Sequence, residues 1–164
     1  MAAAFKAYDL FWLEEPIFPP EDFAALATLG EASGIAIAAG ENACTVHEFA
    51  KMFDAGAVTY AQPSVTKVGG ITEFLKVVEL ARTERIMVMP HSPYFGPGFL
   101  ATLHLAAALT PDGLVERFYV DAEAQFHADY VDPIGNVFRI PQDPGLGSDP
   151  DPDVIKDYRV SRTD

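Results

Sequence analysis

Basic residues are scarce in this 164-residue chain. Only 11 Lys and Arg stand against 24 Asp and Glu, for a formal net charge of -13 spread along the sequence. Such a surface repels nucleic acid and anionic membranes and excludes both as partners. Cysteine is nearly absent: the lone Cys44 excludes an intramolecular disulfide. No apolar run approaches the roughly 20 residues that span a bilayer. Nor does a cationic start lead into an apolar core, as a secretory signal would require, so the expected setting is the cytoplasm. The 49% hydrophobic content rules out a disordered segment and is enough to bury a core.

What is present is a repeat. Five short apolar runs, Leu10 to Leu13, Ile35 to Ala39, Ala57 to Ala61, Ile86 to Met89 and Leu114 to Val115, each lead into a polar or ionisable residue: Glu14, Glu41, Ser64, His91 and Glu116. Successive members lie 23 to 27 residues apart, and each interval holds one helix-length amphipathic stretch. A period of this size marks a repeat architecture. Strands alternating with helices predict an α/β fold with parallel strands, in which functional groups collect at the C-terminal strand ends. A closed eight-stranded barrel takes about 250 residues. The expectation is therefore the C-terminal part of a (β/α) TIM-type barrel, with about five strand-helix units over 1–121 and about three strands fewer than closure needs. Residues 122–164 read as a tail whose packing partner lies outside the chain.

Local punctuation supports the units. Phe5 and Tyr8 suggest the last turns of a helix over Met1 to Tyr8. Pro16, Pro19 and Pro20 stiffen a loop before a helix that starts near Glu21, carries Phe23, Leu26 and Leu29 on one face, and ends at Gly34. Thr45 and Glu48 form a capping-box pattern for a second helix that stops at Gly56. Gly69 and Gly70 open a third, with Phe74, Leu75, Val78 and Leu80 as its apolar side. A fourth runs from about Pro97 to Leu109 and is closed by Pro111 and Gly113. The alternating stretch from Tyr130 to Ile140 suggests a hairpin.

Glu14 and Glu41 end adjacent runs, so in a parallel sheet their carboxylates point into one crevice. Close carboxylates repel unless a cation or a proton lies between them, and hard oxygen ligands with room for water suit Mg2+. Alternation sends Glu14 and the neighbouring Glu15 to opposite sides, and position alone does not choose between them. Asn42 is open to two readings, turn residue or ligand donor. His91, after Pro90, brings a group that titrates near neutral pH to the crevice, as a general acid or base requires. His47, His104 and His127 read as structural. Ser64 has no activating partner in the sequence, and Lys67 reads equally well as a loop charge. Glu116 is open to three roles: hydrogen-bond acceptor, ion near the metal, or acid. Arg117 is placed to pair with it.

One rival pattern competes. Gly96, Gly98 and Ala101 fit the glycine spacing of a dinucleotide site, with Glu116 beyond. Those glycines should follow the strand directly, yet His91 to Phe95 intervene.

The run Phe11-Trp12-Leu13-Glu14-Glu15-Pro16, the Ala39-Gly40-Glu41-Asn42 turn, Gln62-Pro63 with Lys67-Val68-Gly69-Gly70-Ile71-Thr72, and Pro90-His91 together resemble the enolase superfamily, in its mandelate racemase and muconate lactonizing enzyme branch. The resemblance extends from about Tyr8 to Glu116. The tail, with Ile140-Pro141 and Pro144-Gly145-Leu146-Gly147, resembles the segment that returns to the family's capping domain. The resemblance implies a modified barrel in which Mg2+ stabilises the enolate formed when a base removes the proton alpha to a carboxylate. It assigns Glu14 and Glu41 as the second and third metal ligands, His91 as the strand-seven base or acid, and Glu116 as the acid that hydrogen-bonds the substrate.

Two departures follow from the same resemblance. Ser64 stands where the subgroup carries an Asp that pairs with the His, so His91 lacks a charged partner and is expected to be a weaker base. That favours acid-sugar dehydration, with His91 protonating a departing hydroxyl, over racemisation. The family's first metal-binding Asp, its lysine motif and its capping domain would all precede Met1. The expected function is a Mg2+-dependent dehydratase or racemase acting on a small hydroxy or sugar acid, as a homo-oligomer or beside a separate N-terminal half. The alternatives are a non-catalytic half-barrel or interaction protein and, third, a nucleotide-binding domain.

Overall fold

The computed structural model describes residues 2–110 and 113–160. After a short helix α1 (Ala2–Phe5) and a tight turn (Lys6–Tyr8), strands and helices alternate. They are β1 (Leu13–Glu14), α2 (Phe23–Ser33), β2 (Ile37–Ala39), α3 (Val46–Asp54), β3 (Tyr60–Ala61), α4 (Ile71–Glu84), β4 (Met87–Val88) and α5 (Pro97–Leu109). The four strands form one parallel sheet in the order β1-β2-β3-β4. Each strand therefore pairs only with its neighbour in the sequence, as helical crossovers of this length favour.

Register decides which side chains reach the chemistry. Glu14 lies opposite Ala38, and Ala38 opposite Tyr60. Laterally paired residues share a face, and alternate residues along a strand change face. Leu13, Ile37, Ala39, Ala61 and Val88 accordingly point toward the helices, where they join Leu26, Phe49, Met52, Phe74 and Val77 in the main core. Ala38, Tyr60 and Met89 point the other way and form a small cluster with Trp12. Among the described residues no helix joins the apolar cluster on that second face. Phe11 stacks on Tyr60 there at 5.3 Å between centroids while 60% exposed.

The helices start and stop for local reasons. Asp22 caps α2 by accepting the Ala25 amide, and Gly34 closes it in the left-handed region. Thr45 caps α3 by accepting the Glu48 amide at 3.3 Å. The Glu48 carboxylate accepts the Thr45 hydroxyl and the Cys44 amide, each at 2.9 Å, the latter one residue earlier than in the simplest capping box, and these two bonds hold its pKa below the usual range. In α4 the buried positions are Phe74, Val77, Val78 and Ala81, spaced i, i+3, i+4, i+7 as a helical stripe requires. Leu75, expected on that stripe, is 44% exposed.

Three expectations meet a different outcome. The fifth apolar run is extended but joins no ladder: the Leu114 amide donates to Met89 Sδ at 3.2 Å instead of to a strand carbonyl. Four strands, not five, form among the described residues. In place of a hairpin over Tyr130 to Ile140, Ala128–Val131 is a helical turn, α6, and only Ile134 and Val137 pair across a Gly135-Asn136 turn. Pro133 has no amide to extend a ladder on that side. The expected closure of α5 at Pro111, and Met1 in the first helix, fall outside the described residues.

The segment after Asp121 packs partly on this chain. Val131, 1% exposed, and Phe138 join Phe99 and Leu103 of α5. His104 on α5 lies 3.2 Å from the Leu146 carbonyl. A last helix, α7 (Pro152–Tyr158), is capped by Asp151.

Candidate active site

The loops after the four strands, with the extended fifth run, bring the predicted residues to one rim. Glu14 points to the bare face by register, and its carboxylate accepts the Trp12 indole N–H at 3.0 Å. Glu15 goes the other way. Its backbone takes a positive φ of 37°, and its carboxylate accepts from Asn42 Nδ2 at 2.9 Å and from the Gly40 amide at 3.4 Å. Burial raises the Glu15 pKa, and Glu41 and Glu14 add repulsion while the two hydrogen bonds oppose the rise. Asn42 thus serves Glu15 from within a turn.

Glu41 follows Gly40, which turns the chain sharply at the end of β2. One Glu41 oxygen lies 3.0 Å from His91 Nε2 and the other 3.7 Å from Lys67 Nζ. Lys67, which the sequence left open to a reading as a loop charge, thus brings a cation to one of the rim acids. His91 is buried, and its Nε2 also stands 3.9 Å from Glu116. Its other ring nitrogen, Nδ1, is buried without a hydrogen-bond partner. Glu116 has its pKa raised by burial; the nearby His91 opposes the rise, and Glu14 and Glu41 add to it. The four groups therefore act on one another electrostatically.

Glu14 and Glu116 line a cavity of about 240 Å³ with Trp12, Gln62, Met89 and Val115 on the bare face. Gln62 Oε1 and the hydroxyl of Ser92, which follows His91 in the sequence, are buried without partners. Gln62 entered the sequence reading only as part of the Gln62-Pro63 motif, with no role of its own, and Ser92 did not enter it, since a Ser after His carries no distinctive signal.

Ser64 is fully buried and its hydroxyl does not reach His91. It bonds to Tyr94 OH at 2.5 Å and Thr66 Oγ1 at 3.0 Å. No base activates it, so nothing in its surroundings suits a nucleophile. Arg117, expected beside Glu116, instead pairs with Asp121 at 2.6 Å and Asp132 at 2.8 Å. Its Nε and Nη2 both donate to Asp132, and Nη2 also donates to Asp121.

The other histidines lie elsewhere. His47 is exposed in the first turn of α3, His104 meets the Leu146 carbonyl, and His127 is buried with Nδ1 3.2 Å from Ser148 Oγ. The dinucleotide pattern also finds a packing explanation. A Cβ on Gly98 would lie 2.3 Å from the Thr66 methyl, so the absent side chain makes room for Thr66.

Among the described residues no three His, Cys, Asp or Glu side chains converge as a ready metal centre. Glu14 and Glu41 nevertheless supply hard oxygen donors beside Glu116, and the repulsion registered there is what a cation would relieve.

Comparison with known proteins places the chain. A family model described as enolase C-terminal domain-like matches residues 1–154. A putative L-rhamnonate dehydratase of Caldivirga maquilingensis is 41% identical over 59% of this chain and 25% of its own length. A mandelate racemase/muconate lactonizing enzyme-like protein of Rubrobacter xylanophilus superposes with a TM-score of 0.84 at 32% identity, over 98% of this chain and 41% of that one. L-talarate dehydratase of Polaromonas, solved with Mg and L-glucarate, gives a TM-score of 0.64 at 32% identity over 71% of this chain and 31% of that one. The chain spans less than half the length of the curated relatives it matches, from 25% to 44%. Matching sequence over nearly its whole length and matching parallel strands and crossovers together establish that the chain belongs to the enolase C-terminal domain-like family, in its mandelate racemase/muconate lactonizing enzyme branch.

Proposed function

We propose that this chain supplies the proton-transfer side of a Mg2+-dependent enzyme that removes the proton alpha to the carboxylate of a hydroxy or sugar acid, with dehydration as the outcome. The observation that carries the reading is His91 Nε2, 3.0 Å from Glu41 and 3.9 Å from Glu116, beside a cavity that Glu14 also lines. The names of the matched relatives support the class: they include dehydratases and cycloisomerases of sugar acids.

Glu14 and Glu41 would hold the ion, and two carboxylates with water fit part of its octahedral demand. Bound Mg2+ would offset the negative charge that grows on the substrate carboxylate as the proton leaves. The chain's own residues do the rest. His91 accepts or returns a proton at Nε2, the nitrogen that faces the acids. In a dehydration His91 would take the alpha proton at Nε2 and return that proton to the hydroxyl on the neighbouring carbon as its C–O bond breaks, so that a double bond forms between the two carbons and water leaves. Glu116, its proton affinity raised by burial, is suited to donate a hydrogen bond to a substrate oxygen. Trp12 holds the Glu14 carboxylate through its indole N–H.

The test is calorimetric titration of the chain with Mg2+, before and after Glu41→Gln. Weak binding that the substitution removes is expected, because two carboxylates leave the ion short of protein ligands. Tight binding that survives it would place the metal elsewhere.

A further inference from the structure

We propose that Tyr94 is a positioning residue for His91, and that a Ser64–Tyr94 hydroxyl pair holds the imidazole on the side where Nδ1 has no hydrogen-bond partner, opposite the Nε2 that faces Glu41. The proposal deepens the reading of His91 as the proton-transfer group and rests on it.

An imidazole that must move a proton at one nitrogen needs its ring plane fixed, and a hydrogen bond at the other nitrogen commonly does this. His91 has no such bond: Nδ1 is buried and unpartnered. What touches the ring instead is Tyr94, edge-on, with centroids 5.9 Å apart and an interplanar angle of 90°. That T-shaped geometry is the favoured one for aromatic pairs.

Tyr94 is itself pinned from both ends. Its ring packs beside Phe99, Leu103 and Val131, and its hydroxyl lies 2.5 Å from Ser64 Oγ. Ser64 is fully buried in the loop after β3 and makes a second bond to Thr66 at 3.0 Å. A hydroxyl chain therefore ties the His91–Phe95 loop to the loop after β3. Serine is short enough to leave the tyrosine hydroxyl room. The ring of Tyr94 then does by packing what a hydrogen-bonded carboxylate would do by charge. It orients the imidazole while leaving Nδ1 free of an acceptor.

The proposal is tested on the full chain with nitrogen-15 in the histidines, reading the His91 ring signals by NMR and overall folding by circular dichroism. The wild type should give one sharp set of ring correlations and a cross-peak between the His91 and Tyr94 ring protons. Tyr94→Phe and Ser64→Ala should each weaken that cross-peak and broaden the His91 signals several-fold. The double variant should do no more than either single one, and Ser64→Thr, which keeps the hydroxyl, should restore the wild-type pattern. A merely structural role would lower stability and leave the His91 signals of the folded variants unchanged, which would overturn the proposal. If Tyr94→Phe fails to fold, the comparison of Ser64→Ala with Ser64→Thr decides alone, and identical His91 spectra in the two would overturn it. Failure of the functional reading looks different: Mg2+ would bind independently of Glu41 while the Tyr94-dependent ring signals persisted.

Discussion

Replacing Gly40 by Ala should destabilise the protein by about 2 to 6 kcal/mol, and the structure gives two separable reasons. Gly40 sits at φ 129°, a region that side-chain-bearing residues rarely adopt, which costs on the order of 1–3 kcal/mol. A Cβ there would also lie 2.7 Å from Phe49 Cε1 and 3.2 Å from the Gln62 amide nitrogen. Neither neighbour can retreat freely. Phe49 is fully buried, and the Gln62 amide donates to the Ala39 carbonyl at 2.9 Å between β2 and the end of β3. Overpacking a closed core costs roughly another 1–3 kcal/mol. Gly56 is the control, since it has φ 63° but nothing within 4 Å of its would-be Cβ. Urea unfolding of both alanine variants is the assay. With a urea slope of about 1–3 kcal/mol per molar, Gly40→Ala should lower the midpoint by about 1 M or more and clearly exceed Gly56→Ala. Equal shifts in the two variants would refute the packing argument, and a Gly40→Ala midpoint unchanged from wild type would refute both parts.

In an assembled enzyme that contains this segment, His91→Asn should cut turnover by about 10²- to 10⁴-fold while Mg2+ affinity is kept; an unchanged rate in a steady-state assay would remove His91 from the chemistry. His127 should make the fold sensitive to mild acid. Burial holds its pKa below the usual value, with Asp149 opposing. The folded chain thus resists protonation, and stability is lost as pH falls from about 6.5, the unfolded value, toward the lower folded value. Urea midpoints at pH 7.5 and 5.5 should drop more for wild type than for His127→Gln, and equal drops would count against this. The isolated chain should self-associate through its bare sheet face, where Phe11, Met87 and Leu114 are 60%, 49% and 54% exposed. Sedimentation that shows a monomer at all concentrations would contradict that.

The fold was legible because two signals agree. Apolar runs such as Ile35 to Ala39 and Ile86 to Met89 recur at a unit length, and Gly34, Thr45 and Gly70 mark the helix ends between them. Elements whose pairing depends on a neighbour were less legible. Leu114 and Val115 alternate faces as a strand would, yet pairing needs a ladder partner and the Leu114 amide finds Met89 sulfur. The ends of the runs also pointed to Glu14, Glu41, His91 and Glu116 as candidates, which the structure brings to one rim at distances the spacing could not give. Tyr94 was invisible because its part depends on a contact with Ser64 thirty positions earlier and on the angle at which one ring meets another. No periodic pattern encodes either. Arg117 was misjudged because adjacency in sequence suggested Glu116, while the chain folds back to present Asp132.

The strand order has a consequence for how the protein is made. Among the described residues β2, β3 and β4 each pair with the strand synthesised immediately before, and none is inserted between two earlier strands. At ribosomal rates of about 5–20 residues per second, each repeat takes roughly one to five seconds to emerge, whereas helices form in about a microsecond. Each new unit can therefore dock on a completed edge before the next leaves the exit tunnel. Translation then acts as a template for the sheet, and the most recently made strand is always the only edge waiting for a partner on that side.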